Sequence, residues 1–168
     1  MVDFLKIRNV KGPVWDFNEN AGIDIYIPEK DDDVVREIME FNDRYDNNIT
    51  IDGNVITIPA HQDILIPAGI KSKFPKNVAL MANNKSGIAT KKKLIYGAQL
   101  IDSSYQGEWH IHLINTSNKD QTLEFGTKCV QFVPVEIYTE GCTVTTDADN
   151  FFTETTDRGE GGFGSTGV

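Results

Sequence analysis

Three stretches concentrate charged, hydroxyl-bearing or aromatic side chains beside glycines. Gly97 to Gly107 reads GAQLIDSSYQG, with glycines at both ends, Leu100 and Ile101 before a lone carboxylate, Asp102, and Tyr105 just after it. Bracketing glycines suit a hairpin with sharply turned ends. An aspartate behind two apolar residues is expected to be partly buried. Held ionised by hydrogen bonds there, it can orient or deprotonate a water. The same spacing fits a plain turn aspartate, and on the residues alone both readings stand. Asn83 to Gly87, NNKSG, follows an apolar run. Lys85 supplies charge, Ser86 a donor, and Gly87 room for close backbone approach, so the stretch reads as an anion site or as an ordinary loop. The third stretch, Arg158 to Gly167, is RGEGGFGSTG. Arginine grips phosphate oxygens in a fork, phenylalanine stacks on a base, and hydroxyls with glycine N–H groups complete an anion nest. Arg158, Phe163, Ser165 and Thr166 thus suit a nucleoside triphosphate.

Other chemistries fit less well. GEGGFG (Gly159 to Gly164) matches the dinucleotide-binding fingerprint, but that motif needs a strand before it and a helix after it, and here only Ser165 to Val168 follow. A tail that orders only on binding is the better expectation. His110 and His112 lie two apart on one strand face without a third metal ligand nearby, so a structural role, or a ligand contact through the His110 backbone, is expected rather than zinc. Cys129 sits in an apolar run and reads as an inert core residue. Lys91 to Lys93 read as a solvated basic run.

The elements that must position these residues are mostly strands. Short apolar or alternating runs recur at Phe4–Ile7, Ile23–Ile27, Val55–Ile58, Ile64–Ile66, Ile70–Phe74, Asn77–Ala82, Trp109–Ile114 and Cys129–Val135, with turn residues between them. Such a series predicts an all-β barrel or sandwich. A length of 168 residues suits one domain, and a formal net charge of −9 argues against a non-specific nucleic-acid binder. No apolar run approaches a membrane span and the N-terminus lacks a signal-peptide pattern, so a soluble cytoplasmic protein without direct nucleic-acid or membrane binding is expected.

One segment breaks the strand pattern. In DVVREIMEFNDRY, from Asp33 to Tyr45, the residues Val34, Ile38, Phe41 and Tyr45 share one helical face, with Asp31 to Asp33 placed to cap its start. Residues 29–54 read as an acidic insertion carrying this helix, closed by the loop DNNITIDGN. It is expected to be a surface excursion, either a plain elaboration or a surface for a protein partner. From Thr143 onward hydrophobic periodicity fades.

Taken together, the chain resembles the trimeric dUTP pyrophosphatase (dUTPase) family, with five motifs in the family's order. They are AGIDIYIP (Ala21 to Pro28), NNKSGIA (Asn83 to Ala89), GAQLIDSSYQGE (Gly97 to Glu108), GTKCVQFV (Gly126 to Val133) and the glycine-rich end. The resemblance implies an all-β, jelly-roll-like subunit over residues 1–157 and a flexible C-terminal arm, a glycine-rich lid, over 158–168. It implies a homotrimer with shared active sites that uses Mg²⁺ to hydrolyse dUTP to dUMP and pyrophosphate, keeping uracil out of DNA and supplying dUMP for thymidylate. Asp102 matches the residue that activates water against the α-phosphorus. Asp24 matches a carboxylate that meets the metal through water, the ion being held mainly by substrate phosphates. Tyr105 matches the aromatic beneath the deoxyribose. The hairpin around Tyr96, Gly97, Leu100 and Ile101, with His110, is implied to hold the nucleoside. Lys85, Ser86, Gly87 and Gln131 are implied to hold phosphates, and Arg158, Phe163, Gly164 and Ser165 to close over them.

Two departures stand out: Lys85 and Lys128 replace the arginines usual in the second and fourth motifs, keeping charge but losing the bidentate fork. The insertion is the other. Elaborated members of this kind are familiar from phages, which implies a phage-encoded protein of the host cytoplasm. Two rival readings share these features: a dCTP deaminase-like enzyme of the same fold, and a nucleotide-switched regulatory protein acting through the insertion.

Overall fold

The structure, a computed structural model, describes residues 1–16, 18–146, 151–152, 154 and 156–157. It divides the chain into two units, Met1–Ile137 and Tyr138–Val168. In chain order the first unit contains β1 (Asp3–Lys6), β2 (Ile23–Tyr26), α1 (Asp32–Arg44), β3 (Thr50–Asp52), β4 (Val55–Ile58), β5 (Asp63–Pro67) and β6 (Ile70–Lys73). There follow β7 (Val78–Asn84), α2 (Ser86–Lys92), β8 (Leu94–Tyr96), β9 (Leu100–Ile101), β10 (His110–Asn115), β11 (Gln121–Glu124) and β12 (Lys128–Glu136). They form an all-β, jelly-roll-like arrangement, as the alternation predicts. Its described sheets are ordered β2-β12-β7-β9, β5-β10-β8, β11-β4-β3 and β1-β6.

Alternation decides what each strand buries. Along β10, Ile111, Leu113 and Asn115 are buried, which leaves His110 and His112 together on the opposite face. β2, β4 and β5 contribute Ile23, Ile25, Ile56, Ile58, Ile64 and Ile66 to one core, packed with Leu80, Leu113, Phe132 and Trp109. Each such side chain contributes about 1.5–3 kcal/mol by leaving water. Trp109 centres the aromatic part: its ring lies 4.8 Å from Phe132 and 5.5 Å, edge-on, from Phe4. Its Nε1–H donates to Ser72 Oγ at 3.1 Å, so the buried indole keeps its polar group satisfied. Gly69, at φ +71°, makes the turn from β5 to β6 in a region that favours glycine.

The insertion is more than a surface excursion. α1 forms where predicted, with Asp31 Oδ1 capping it by accepting from the Val34 N–H at 2.7 Å. Val34 and Ile38 join the main core. The buried face then runs to Asn42, whereas Tyr45 is exposed and Phe41 half-buried. Asn42 belongs inside because it serves as a substitute strand for β5. Its Nδ2 donates to Leu65 O at 3.0 Å, and its Oδ1 accepts from Leu65 N at 3.1 Å. The loop expected after the helix also contains β3, which pairs with β4.

α2 was not legible as a helix: it buries no residue, so SGIATKK shows no apolar stripe. In the second unit, Tyr138 Oη donates to Glu140 Oε2 at 2.7 Å, and the exposed Phe151 and Phe152 rings meet edge to face at 4.9 Å.

Candidate active site

Gly97 to Gly107 is the loop of the β8–β10 hairpin, widened so that β9 can join a different sheet. Leu113 pairs with Tyr96 in one sheet, while Leu100 pairs with Met81 of β7 in the other. The chain therefore crosses between two sheets at Gly97 to Gln99. Beside this crossing lies a cleft of about 220 Å³ lined by Tyr96, Ala98, Leu100, Ile101, Asp102, Tyr105 and His110. Asp102 is exposed rather than partly buried: no described residue of the chain covers it. Its carbonyl closes a turn by accepting from the Tyr105 N–H at 3.1 Å.

Tyr105 is held firmly. Its hydroxyl donates to Glu108 O at 2.7 Å, and its ring leaves no room for a side chain at Gly107, where a Cβ would sit 2.4 Å from the hydroxyl. Tyr96 is buried and donates its hydroxyl to His110 O at 3.1 Å. Burial pushes the Tyr96 pKa up, so it stays a neutral donor. His110 Nδ1 donates to Glu108 O at 3.1 Å, which leaves the buried Nε2 as an acceptor without a partner among the described residues. The Phe41 ring of α1 meets the His110 ring edge-on at 4.9 Å, so the insertion packs against one of the residues that line the cleft.

Glu108 anchors this corner. Its carboxylate receives Arg8 Nε at 2.7 Å, Arg8 Nη2 at 2.8 Å and Gly69 N at 2.8 Å, and Arg8 Nη2 also reaches Glu37 of α1 at 2.5 Å. Burial works to raise the Glu108 pKa. The hydrogen bonds and charge of Arg8, with the Gly69 N–H, outweigh it and hold the carboxyl below its usual range.

The phosphate-type residues gather elsewhere on the chain. Lys85, Ser86, Gly87, Ile88, Lys128 and Gln131 line a second cleft of about 260 Å³, which shares no lining residue with the first. An adjoining polar cleft of about 220 Å³ includes Asp16, Asp24, Lys85, Lys128 and Gln131. Register brings these together: Gln131 of β12 lies opposite Asp24 of β2 and Asn83 of β7. Lys85 donates to Asp24 Oδ1, and Lys128 Nζ donates to Oδ2 at 2.8 Å. Burial works to raise the Asp24 pKa, but the hydrogen bonds and charges of Lys128 and Lys85 prevail and hold it low. Cys129 is fully buried and its thiol is pushed up to about 12, consistent with an inert core residue.

Two contributors were missed in the sequence. Asp63 Oδ2 lies 2.7 Å from His112 Nε2, and His112 Nδ1 lies 3.1 Å from the Ala98 N–H. Asp63 and His112 are 49 residues apart, so no local spacing signals the pair. Arg8, joined to Glu108, is the other long-range partner. Arg158, Phe163, Gly164 and Ser165 lie outside the described residues. Among the described residues no group of three or more His, Cys, Asp or Glu side chains gathers as a metal cage, and no helix is long and apolar enough to cross a membrane.

The dUTPase family model matches residues 50–167. A deoxyuridine 5'-triphosphate nucleotidohydrolase of Haemophilus ducreyi is 37% identical over 117 residues, 68% of this chain and 74% of that one. The fold is similar to that of the Staphylococcus bacteriophage 80alpha dUTPase with dUPNHPP, at a TM-score of 0.74 and 18% identity, covering 100% of this chain and 99% of that one. It is also similar to a point mutant of the dUTPase of phage phi11 of S. aureus, in which a structural Mg(II) ion is coordinated. That match has a TM-score of 0.66 and 15% identity over 88% of this chain and 98% of that one.

Proposed function

Because the chain belongs to the dUTPase family and is a dUTP-hydrolysing enzyme, we propose that Asp102 activates the water that splits dUTP into dUMP and pyrophosphate. The observation that carries this reading is the single cleft in which Asp102, Tyr105 and the crossing from Tyr96 to Ile101 meet. The water oxygen bonds to the α-phosphorus, its proton passes to the Asp102 carboxylate, and the bond to the bridging oxygen breaks so that pyrophosphate leaves. The backbone of Tyr96, Gly97 and Leu100 reads uracil. A close wall there rejects the thymine methyl, and cytosine mismatches its donors and acceptors. The fixed Tyr105 ring sits beneath the deoxyribose and leaves no space for a 2′-hydroxyl, and Ile101 and His110 complete the nucleoside wall.

Lys85, Ser86, Gly87 and Gln131 hold phosphate oxygens. That they line a separate cleft from Asp102 on the same chain supports active sites completed between copies in a homotrimer. The exposed apolar residues Met81 and Leu100, paired across β7 and β9, suit cover by such a neighbour. Arg158, Phe163, Gly164 and Ser165 close over the bound nucleotide.

Both oxygens of Asp24 are engaged by lysines, and Asp16 shares its cleft. With both oxygens so engaged, Asp24 would meet a hydrated Mg²⁺ only through water, and the ion would be held mainly by the substrate's phosphates rather than by a protein cage. When bound, such an ion neutralises charge on the phosphate chain.

The test is pyrophosphate release from dUTP, dCTP, dTTP and UTP side by side, with and without Mg²⁺. Asp102→Asn is expected to lose nearly all turnover while keeping dUTP binding; turnover at the wild-type rate would refute the assignment. Ammonia release from dCTP without pyrophosphate from dUTP would favour the deaminase instead. Truncation after Asp157 is expected to cripple turnover while leaving fold and assembly intact, and normal rates would refute the role given to the arm.

A further inference from the structure

We infer that His112 is a positioning residue for base selection, acting through the backbone of the crossing at Gly97 and Ala98. Three contacts converge on it. The Gly97 N–H donates to the His112 carbonyl at 3.0 Å. The Ala98 N–H donates to His112 Nδ1 at 3.1 Å. On the far side of the ring, His112 Nε2 lies 2.7 Å from Asp63 Oδ2.

The chemistry fixes the tautomer. Nδ1 must offer a lone pair to the Ala98 N–H, so the ring proton sits on Nε2, where it donates to the Asp63 carboxylate. Asp63 thereby sets both the orientation of the ring and the nitrogen that can accept. Gly97 lies directly against the imidazole: a Cβ there would fall 2.3 Å from Nδ1 and 2.5 Å from Cε1. A side chain at that position would push the ring off Ala98.

The location gives this contact its consequence. The regular β8–β10 ladder ends at Tyr96, opposite Leu113. One residue beyond Gly97, a side chain replaces the next rung and takes the Ala98 N–H. The Gln99 carbonyl then accepts from the Ala82 N–H at 2.7 Å, and the chain enters the other sheet. Ala98 is thus held from the β10 side and Gln99 from the β7 side. Between them runs the backbone that lines the cleft with Tyr96, Leu100 and Asp102. A base read by backbone groups is discriminated only as well as those groups are fixed.

This inference rests on the assignment of that cleft to the base, and the experiment separates the two. The measurements are KM and kcat for dUTP and dCTP, and amide hydrogen exchange at Ala98. His112→Ala removes the acceptor. It is expected to raise KM for dUTP and to cut the dUTP-over-dCTP preference by about tenfold each, with kcat changed less, and to speed exchange at Ala98. His112→Asn places an amide oxygen near the Nδ1 position and is expected to recover most of both. A purely structural role would lower stability and leave the preference unchanged. An unchanged preference and KM in His112→Ala, equal losses in the Ala and Asn variants, or fast Ala98 exchange in the wild type would each overturn the inference. Gly97→Ala, which displaces the ring, serves if His112→Ala does not fold, and it must show the same loss of preference. A wild type with no preference for dUTP would instead sink the assignment of the cleft.

Discussion

Replacing Arg8 by methionine tests the corner that joins the N-terminal strand, the insertion and the cleft. The change strands Glu108, whose side chain is 13% exposed, with the Gly69 N–H as its remaining hydrogen-bond partner among the described residues. Glu37 loses the same arginine but is 31% exposed and can turn to water. Removing one member of a well-buried pair costs about 3–5 kcal/mol; with one N–H retained and one carboxylate partly solvated, about 2–3 kcal/mol is expected here. For a chain of this size that corresponds to a fall in Tm of about 5–10 °C.

The pH dependence has a defined sign. The Glu108 carboxyl lies below its usual range in the fold. Its contribution is therefore present above the unfolded pKa, about 4.3, and is lost as pH falls through the folded value. In Arg8→Met the opposing effect of burial is left almost alone, so the carboxyl protonates at higher pH. The stability gap between wild type and variant should be widest near neutrality and close below about pH 4. Urea unfolding at pH 7 and pH 4.5 measures it. Adding Glu108→Gln should recover part of the loss at pH 7, because no buried charge is then stranded. A gap below about 0.5 kcal/mol, or one that does not change with pH, would refute this account of the corner.

Asn42→Ala should cost about 2–4 kcal/mol in the same assay, because it strips partners from the Leu65 N–H and carbonyl; a loss under 1 kcal/mol would count against a substitute-strand role. Mixing Asp102→Asn with Lys85→Met, unfolded together and refolded, should restore activity neither variant has alone. If a site takes Asp102 from one copy and Lys85 from another, about a quarter of the wild-type rate is expected at equal mixing. No recovery, in a mixture shown to exchange subunits, would argue for sites built within one chain.

The sequence carried the strands well because alternation and burial are the same fact seen twice. Val55–Ile58 appears as β4 with the same bounds, and Ile111 and Leu113 face inward as their spacing requires. Departures occur where polar groups decide the packing. Asn42 looks like a surface residue in sequence, yet it faces inward because an unpaired strand edge needs a donor and an acceptor. α2 was invisible since it buries no residue fully and sets only Ile88 against the core, one apolar contact rather than a stripe. The motifs singled out Asp102, Tyr105, Lys85 and Gln131 as candidates, but not that the first two line one cleft and the last two another. The supporting pairs Arg8–Glu108 and Asp63–His112 join residues 100 and 49 positions apart, a separation no local pattern encodes.

The cover that Asn42 gives to β5 also constrains how the insertion can be studied. β5 is an edge strand of its sheet, paired only with β10 among the described strands. Excising residues 29–54 would bare its free N–H and carbonyl groups, a template on which other chains add strands. The shortened protein would then aggregate, or capture unrelated proteins by edge-to-edge pairing. A binding difference seen on deletion would therefore report a new adhesive edge as readily as a lost partner. The informative changes are charge reversals at exposed positions of α1, such as Asp33, Glu40 and Asp43, which leave Val34, Ile38 and Asn42 in place.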